Sequence, residues 1–182
     1  NNGDPDMSAQ LTSINATNPE AIVVWGITNE SATVAKNRKA LGITTPLIGS
    51  YGIANAAFLE VAGDASEGIV IQSGKLLFPD QIPEDDVQYE VISKFNQEYL
   101  ERFGGEPTNF GSYAHDAFYL TVEALKNGAT TRVAIRDYLE NNIKNWVGAT
   151  GTYTMSPENH IGLTADSLVM AEARGGKWVL IK

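Results

Sequence analysis

The sequence has 182 residues, 43% of them hydrophobic, and a formal net charge of −9 from 13 basic and 22 acidic side chains. That length suits one domain or two small lobes with a sizeable core. Without a basic footprint, nucleic acid is excluded as a partner and an anionic membrane surface is disfavoured. The absence of cysteine rules out a disulfide scaffold, a thiolate metal site and a cysteine nucleophile, and no apolar run approaches the roughly 20 residues of a bilayer span.

In chain order, Asp6 is expected to cap a helix reaching about Thr17, with Met7, Leu11 and Ile14 on one face and Asn18-Pro19 as its stop. Ala21–Trp25 (AIVVW) is a continuous apolar run, expected to be a strand covered on both faces. Glu30–Leu41 has the length of a crossover helix, with Val34, Ala35 and Leu41 inward, Lys36 and Lys39 outward and Gly42 as the stop. Leu47-Ile48 is the next strand, Ala54–Ala62 a short helix burying Phe58 and Leu59, and Gly68–Gln72 a third strand. Helices alternating with strands predict a parallel α/β sheet.

The pattern then changes. Ser73–Asp86 carries Pro79, Pro83 and an acidic run and has no clear period, so it reads as a connector, with Glu84-Asp85-Asp86 solvated. Val87–Phe103 is an amphipathic helix with Val91, Ile92, Phe95, Tyr99 and Phe103 on one face. Thr108-Asn109 opens another through Leu125, with Ala114, Ala117, Phe118, Thr121 and Leu125 expected inward. A third runs from Thr130/Thr131 to near Asn141. Val147–Thr154 and Leu168–Ala173 look like strands, and Arg174-Gly175-Gly176 is a hairpin turn into Lys177–Ile181.

Ligands of open parallel sheets sit beyond the carboxyl ends of the strands. The loops Gly26-Ile27-Thr28-Asn29 and Gly49-Ser50-Tyr51-Gly52 are therefore the first places to look for function. Catalytic signatures are missing: there is no GxSxG elbow, Walker loop or GxGxxG. His115-Asp116 are neighbours on a helix and are not expected to face one another, which argues against a relay. His160 falls in a turn, and two distant histidines without cysteine do not make a metal site.

The ordered series DMSAQL, AIVVWG, ALGITTPLIGSYGIAN, FLEVAGDASEGIVI, YAHDAFYLTVEAL and GATGTYTMSPENHIGL resembles the periplasmic leucine/isoleucine/valine-binding protein family, the type 1 substrate-binding proteins of ABC importers. The resemblance covers essentially the whole chain and rests on the series, not on any one segment. It implies an α/β, type 1 periplasmic-binding-protein-like fold of parallel βαβ lobes closing on a small ligand, apparently truncated at the N-terminus. On this mapping residues 1–73 are the later part of the second lobe and 74–80 a hinge. Residues 81–147 are a helical return to the first lobe, and 148–182 a β-rich tail passing back toward the hinge and second lobe. The implied role is non-enzymatic and needs no cofactor or metal. It is extracytoplasmic capture of a small organic acid, either an aromatic or apolar carboxylate or a branched-chain-amino-acid-like one, for an ABC permease, with the signal peptide not in this chain. A ligand-sensing domain of a receptor or regulator is the alternative of different class. A truncated lobe also leaves apolar surface exposed, which invites homodimerisation or strand exchange.

The resemblance assigns sites residue by residue. Where the branched-chain binders carry an aromatic residue two positions past the strand end, this chain has Ile27; where they carry the acid that pairs with the ligand ammonium, it has Tyr51. GIANAAFLEVAG and GKLLFPDQIPEDD are similar to the branch of the family associated with aromatic or other apolar carboxylates. Tyr51 is accordingly expected to contact the ligand, Ile27 to pack beside it, and Ser50 and Thr28 to contact it or cap their loops. Trp25 is expected in the core or bordering the cleft, and Phe110 in the core near the hinge.

Overall fold

The computed structural model describes residues 3–181. The chain divides into two compact units, one formed by residues 3–73 with 169–181, the other by residues 74–168.

In the first unit, α1 (Ser8–Asn15) is followed by β1 (Ile22–Val24), α2 (Thr28–Ala40), β2 (Leu47–Gly49), α3 (Ala56–Ala62) and β3 (Val70–Gly74). β1 pairs in parallel with β2, and β2 with β3, so the βαβ reading holds. The sheet is completed by β6 (Leu168–Arg174) and β7 (Lys177–Leu180), in the order β1-β2-β3-β6-β7. β6 and β7 form the antiparallel hairpin foreseen at Arg174-Gly175-Gly176. Both turn glycines lie at positive φ, 56° and 74°, which is the backbone a two-residue turn needs to follow the strand twist. The core of the unit comprises Leu11, Ile22, Ala32, Ala35, Leu47, Phe58, Ile69 and Ile71, with the Trp178 ring stacked on Phe58 at 5.9 Å.

Two expectations fail here, and the first of the two places open to Trp25 is excluded. β1 is an edge strand, and Val23 is 63% exposed, so it is not covered on both faces. Trp25 is 82% exposed and not in the core, because it lies past the end of that edge strand. Leu41 is exposed, because α2 ends at Ala40 and Leu41 is its C-cap.

The second unit holds α4 (Tyr89–Phe103), α5 (Asn109–Lys126), α6 (Arg132–Asn142) and a short antiparallel hairpin, β4 (Trp146–Val147) and β5 (Thr152–Tyr153). Thr108 and Thr131 cap α5 and α6, their hydroxyls accepting the N–H of Gly111 and Ala134. Leu120, Ile143 and Tyr153 form one core cluster, and Leu76, Ile82 and Ile92 another. The segment read as a connector is in fact folded. It makes two 3₁₀ turns, Lys75–Leu77 and Pro79–Gln81, and buries Leu76, Phe78 and Ile82. Asp86, expected in water, forms an ion pair of 2.7 Å with Lys75 and accepts the N–H of Gln88. Burial works against its ionised form, but Lys75 and the Gln88 N–H outweigh it and hold the carboxyl below its ordinary value.

The α5 face is misphased. Its buried line is Asn109, Ser112, Asp116, Leu120 and Ala124, whereas Ala114, Ala117, Phe118 and Leu125 are exposed. Phe110, expected in the core, is 59% exposed on the same helix.

Candidate functional site

The two strand-end loops of the first unit lie side by side, because β1 and β2 are adjacent and parallel with Val24 opposite Gly49. A clasp holds them together. Ser50 is 4% exposed; its Oγ donates to Gly26 O at 2.7 Å and accepts from Gly26 N at 3.3 Å, and its own N–H donates to Val24 O. The loops approach so closely that a Cβ on Gly52 would stand 2.6 Å from Gly26 O. Glycine is required there by space, since its φ is ordinary. The Ser50 hydroxyl is thus bonded within the two loops.

Asn55 extends the clasp and was missed in the sequence. Its Oδ1 accepts the Phe58 N–H and caps α3, its Nδ2 donates to Gly52 O and Thr28 Oγ1, and its carbonyl accepts the Trp178 Nε1–H. An Asn three residues before the first buried apolar side chain of a helix is an N-cap signal, so it was findable. Gln72 on β3 was not: its amide, oriented to satisfy both neighbours, donates to Gly49 O and accepts from Tyr51 N. Nothing local in GIVIQ announces a side chain that reaches the neighbouring loop.

The predicted residues therefore gather as follows. Tyr51 opens a 3₁₀ turn, Tyr51–Ile53, and is half-buried. Thr28 is the first residue of α2 and bonded to Asn55. Ile27, 65% exposed, is the α2 N-cap and offers no side-chain cap. Trp25 is exposed two residues earlier. These four share one end of the parallel strands with Ser50, whereas Phe110 belongs to the second unit.

The second unit contains a buried polar node that imitates a catalytic one. His115 Nδ1 lies 3.0 Å from Asp116 Oδ1, so the expectation that the two would not meet is corrected; adjacent side chains of this length can touch at their tips. The contact is still no relay. Asp116 is fully buried and accepts the N–H of Ala149 at 2.9 Å, the N–H of Thr150 at 2.8 Å and the Thr150 hydroxyl. Both of its oxygens are used to pin α5 to the turn of the β4–β5 hairpin. The Thr150 hydroxyl also meets Tyr153 OH at 2.6 Å. Burial pushes the Tyr153 phenol up to about 12; the Thr150 hydrogen bond opposes this, and the nearby Asp116 carboxylate adds to it. His160 is exposed, as expected, with Nε2 2.9 Å from Glu140 Oε1. Among the described residues no group of three His, Cys, Asp or Glu is placed to hold a metal, and no helix is long and apolar enough to cross a membrane.

Comparison with known proteins agrees with this architecture. The chain is 24% identical over 96 residues to the Leu/Ile/Val-binding protein of Escherichia coli strain K12, a match covering 53% of this chain and 26% of that protein. An extracellular ligand-binding receptor from Rhodopseudomonas palustris superposes with a TM-score of 0.88 at 25% identity, covering 98% of this chain and 52% of that one. A leucine binding protein from Thermotoga maritima does so with a TM-score of 0.82 at 25% identity, covering 99% and 49%. The chain thus spans about half the length of these solved relatives, which are type 1 periplasmic binding proteins in fold. The relatives are binding proteins by name, not enzymes. The family model described as periplasmic binding protein matches residues 1–177, and the chain belongs to that family.

Proposed function

We propose that the chain is part of an extracytoplasmic solute-binding protein serving a membrane permease of the ABC-importer type, and that its ligand is a small aromatic or apolar carboxylate. The observation that carries the ligand class is Tyr51, which stands where the branched-chain binders are expected to place an acid, in the loop adjacent to the one that carries the exposed Trp25 and Ile27. An ammonium desolvated against Tyr51 would lose its counter-charge at a cost of several kcal/mol, whereas an apolar or aromatic body gains by covering Trp25 and Ile27. Capture works by closure of two lobes, with ligand contacts from both stabilising the closed state by their difference in affinity. Tyr51, Thr28, Ile27 and Trp25 are the contacts on the lobe described by the first unit.

The test is a thermal-shift titration of the chain with benzoate, phenylacetate, leucine and valine. A ligand that binds only the native state raises the melting temperature by mass action. A chain spanning about half of its relatives' length offers part of the cleft, so the response is expected in the millimolar range. Aromatic acids should raise the midpoint and Tyr51→Ala should abolish the rise. A rise with leucine or valine and none with the aromatic acids overturns the ligand class.

A further inference from the structure

We propose that Gln72 is a positioning residue: it fixes the turn that carries Tyr51 and so sets how strongly the ligand is held. The inference rests on the reading of Tyr51 as a ligand contact. β2 pairs with β3 through Ile48 opposite Val70 and Gly49 opposite Ile71, which puts Gln72 level with Ser50. There β2 has ended, and the chain opens the Tyr51–Ile53 turn. The Gln72 side chain takes over where the backbone pairing stops. Its amide nitrogen donates to Gly49 O at 3.1 Å and its amide oxygen accepts from Tyr51 N at 3.2 Å.

A helical turn leaves its first N–H groups without partners inside it, and the side chain just before it commonly supplies one. Ser50 holds that place but makes no cap bond, because its hydroxyl is bonded to Gly26. Gln72 therefore caps the turn from the neighbouring strand. The other backbone group of Tyr51 is held too, its carbonyl accepting the Ala54 N–H at 3.0 Å. Ile53, 1% exposed, closes the turn over the end of β2, where a Cβ on Gly49 would collide with its Cδ1. With the backbone of Tyr51 fixed on both sides, only rotation of its side chain among rotamers is left to the ring. An amide meets both demands of the site, since it carries a donor for Gly49 O and an acceptor for the Tyr51 N–H on one planar group. Ionised glutamate, of the same shape, keeps the acceptor and sets a charge against Gly49 O. Methionine, of similar length, offers no N–H to donate and only a weak acceptor.

These two variants separate bonding from space-filling when amide exchange at Tyr51 is measured beside the melting temperature. Gln72→Met should speed exchange of the Tyr51 N–H about fivefold, as loss of one hydrogen bond predicts. Gln72→Glu should keep that exchange slow, since a carboxylate still accepts the N–H, although its charge against Gly49 O makes it the least stable of the three proteins. A side chain that only supported the fold would give exchange that follows the melting temperature, fastest in Gln72→Glu. In thermal-shift titrations with benzoate, phenylacetate, leucine and valine, Gln72→Met should raise the ligand concentration needed for a given shift about fivefold. Equal exchange of the Tyr51 N–H in the unmodified chain and Gln72→Met overturns the proposal, and so does an unchanged ligand response in Gln72→Met. A response to leucine or valine alone overturns the ligand class but supports the role of Gln72 where Gln72→Met weakens it. Silence of all four ligands overturns both, and Tyr51 exchange then shows separately whether Gln72 holds the turn.

Discussion

Tyr153 shows how one buried hydroxyl makes stability depend on pH. It is 7% exposed, bonded to Thr150, and its phenol is pushed up to about 12, chiefly by burial. The unfolded chain holds the same group near 10. A raised folded value stabilises the native state fully below the unfolded value, and the contribution is lost as pH rises through the folded one. The window is therefore pH 10 to 12, and a shift of this size corresponds to roughly 2–3 kcal/mol. Urea denaturation should show the midpoint falling across that window, with a shallower fall in Tyr153→Phe, which cannot ionise. An equal fall in both proteins would mean that other groups govern the alkaline limb. The neighbouring Asp116 carries the opposite lesson about appearances. Beside a histidine it looks catalytic in the sequence, yet its oxygens are occupied by the Ala149 and Thr150 N–H groups. A Cβ on Gly148 would collide with the Asp116 carboxylate and stand 2.6 Å from the Trp146 ring, so the glycine of GATG serves the turn's packing.

At the scale of elements, the clasp between the strand-end loops decides whether the candidate site keeps its shape. Ser50→Ala removes the hydroxyl that both donates to and accepts from Gly26 and leaves partly buried backbone groups without that partner, at about 1 kcal/mol. Gly52→Ala drives a Cβ against Gly26 O and separates the loops outright, and overpacking of this kind costs about 1–3 kcal/mol. Both substitutions should lower the urea midpoint, and both should blunt the thermal response to aromatic acids by loosening the two loops. Full retention of the response in Gly52→Ala would place the ligand away from these loops. The parallel βαβ order, the caps at Thr108 and Thr131 and the glycine hairpin were legible in the sequence because each is written in local period or turn chemistry. The phase of α5 was not. Its apolar residues invited one face inward, but Asn109, Ser112 and Asp116 are buried instead. Asp116 can be buried because a turn more than thirty residues later supplies its donors, and no helical pattern carries that information. The exposure of Trp25 was not legible for a related reason: a strand at the sheet edge leaves apolar neighbours exposed, and strand order is a property of the sheet, not of AIVVW.

For the whole molecule, the excess of 22 acidic over 13 basic residues sets the response to salt. Two effects oppose one another. Salt weakens surface ion pairs such as Lys39–Asp64 at 2.5 Å and Arg174–Glu172 at 2.5 Å, but exposed pairs of this kind are worth at most about 1 kcal/mol each, and many nothing measurable. Salt also screens the mutual repulsion of a compact chain at −9, which destabilises the folded state over its whole surface. The partly buried Lys75–Asp86 pair, with side chains 16% and 18% exposed, is shielded from ions and should hardly respond. Repulsion therefore dominates. Raising sodium chloride through the physiological range, where the screening length falls below about 10 Å, should raise the melting temperature by a few degrees and level off once screening is complete. Potassium chloride should trace the same curve, as expected for screening and not for binding of one cation. A midpoint that falls with salt would mean that the exposed ion pairs act as a network and outweigh the net charge. Lys39→Ala would then reproduce the fall at low salt.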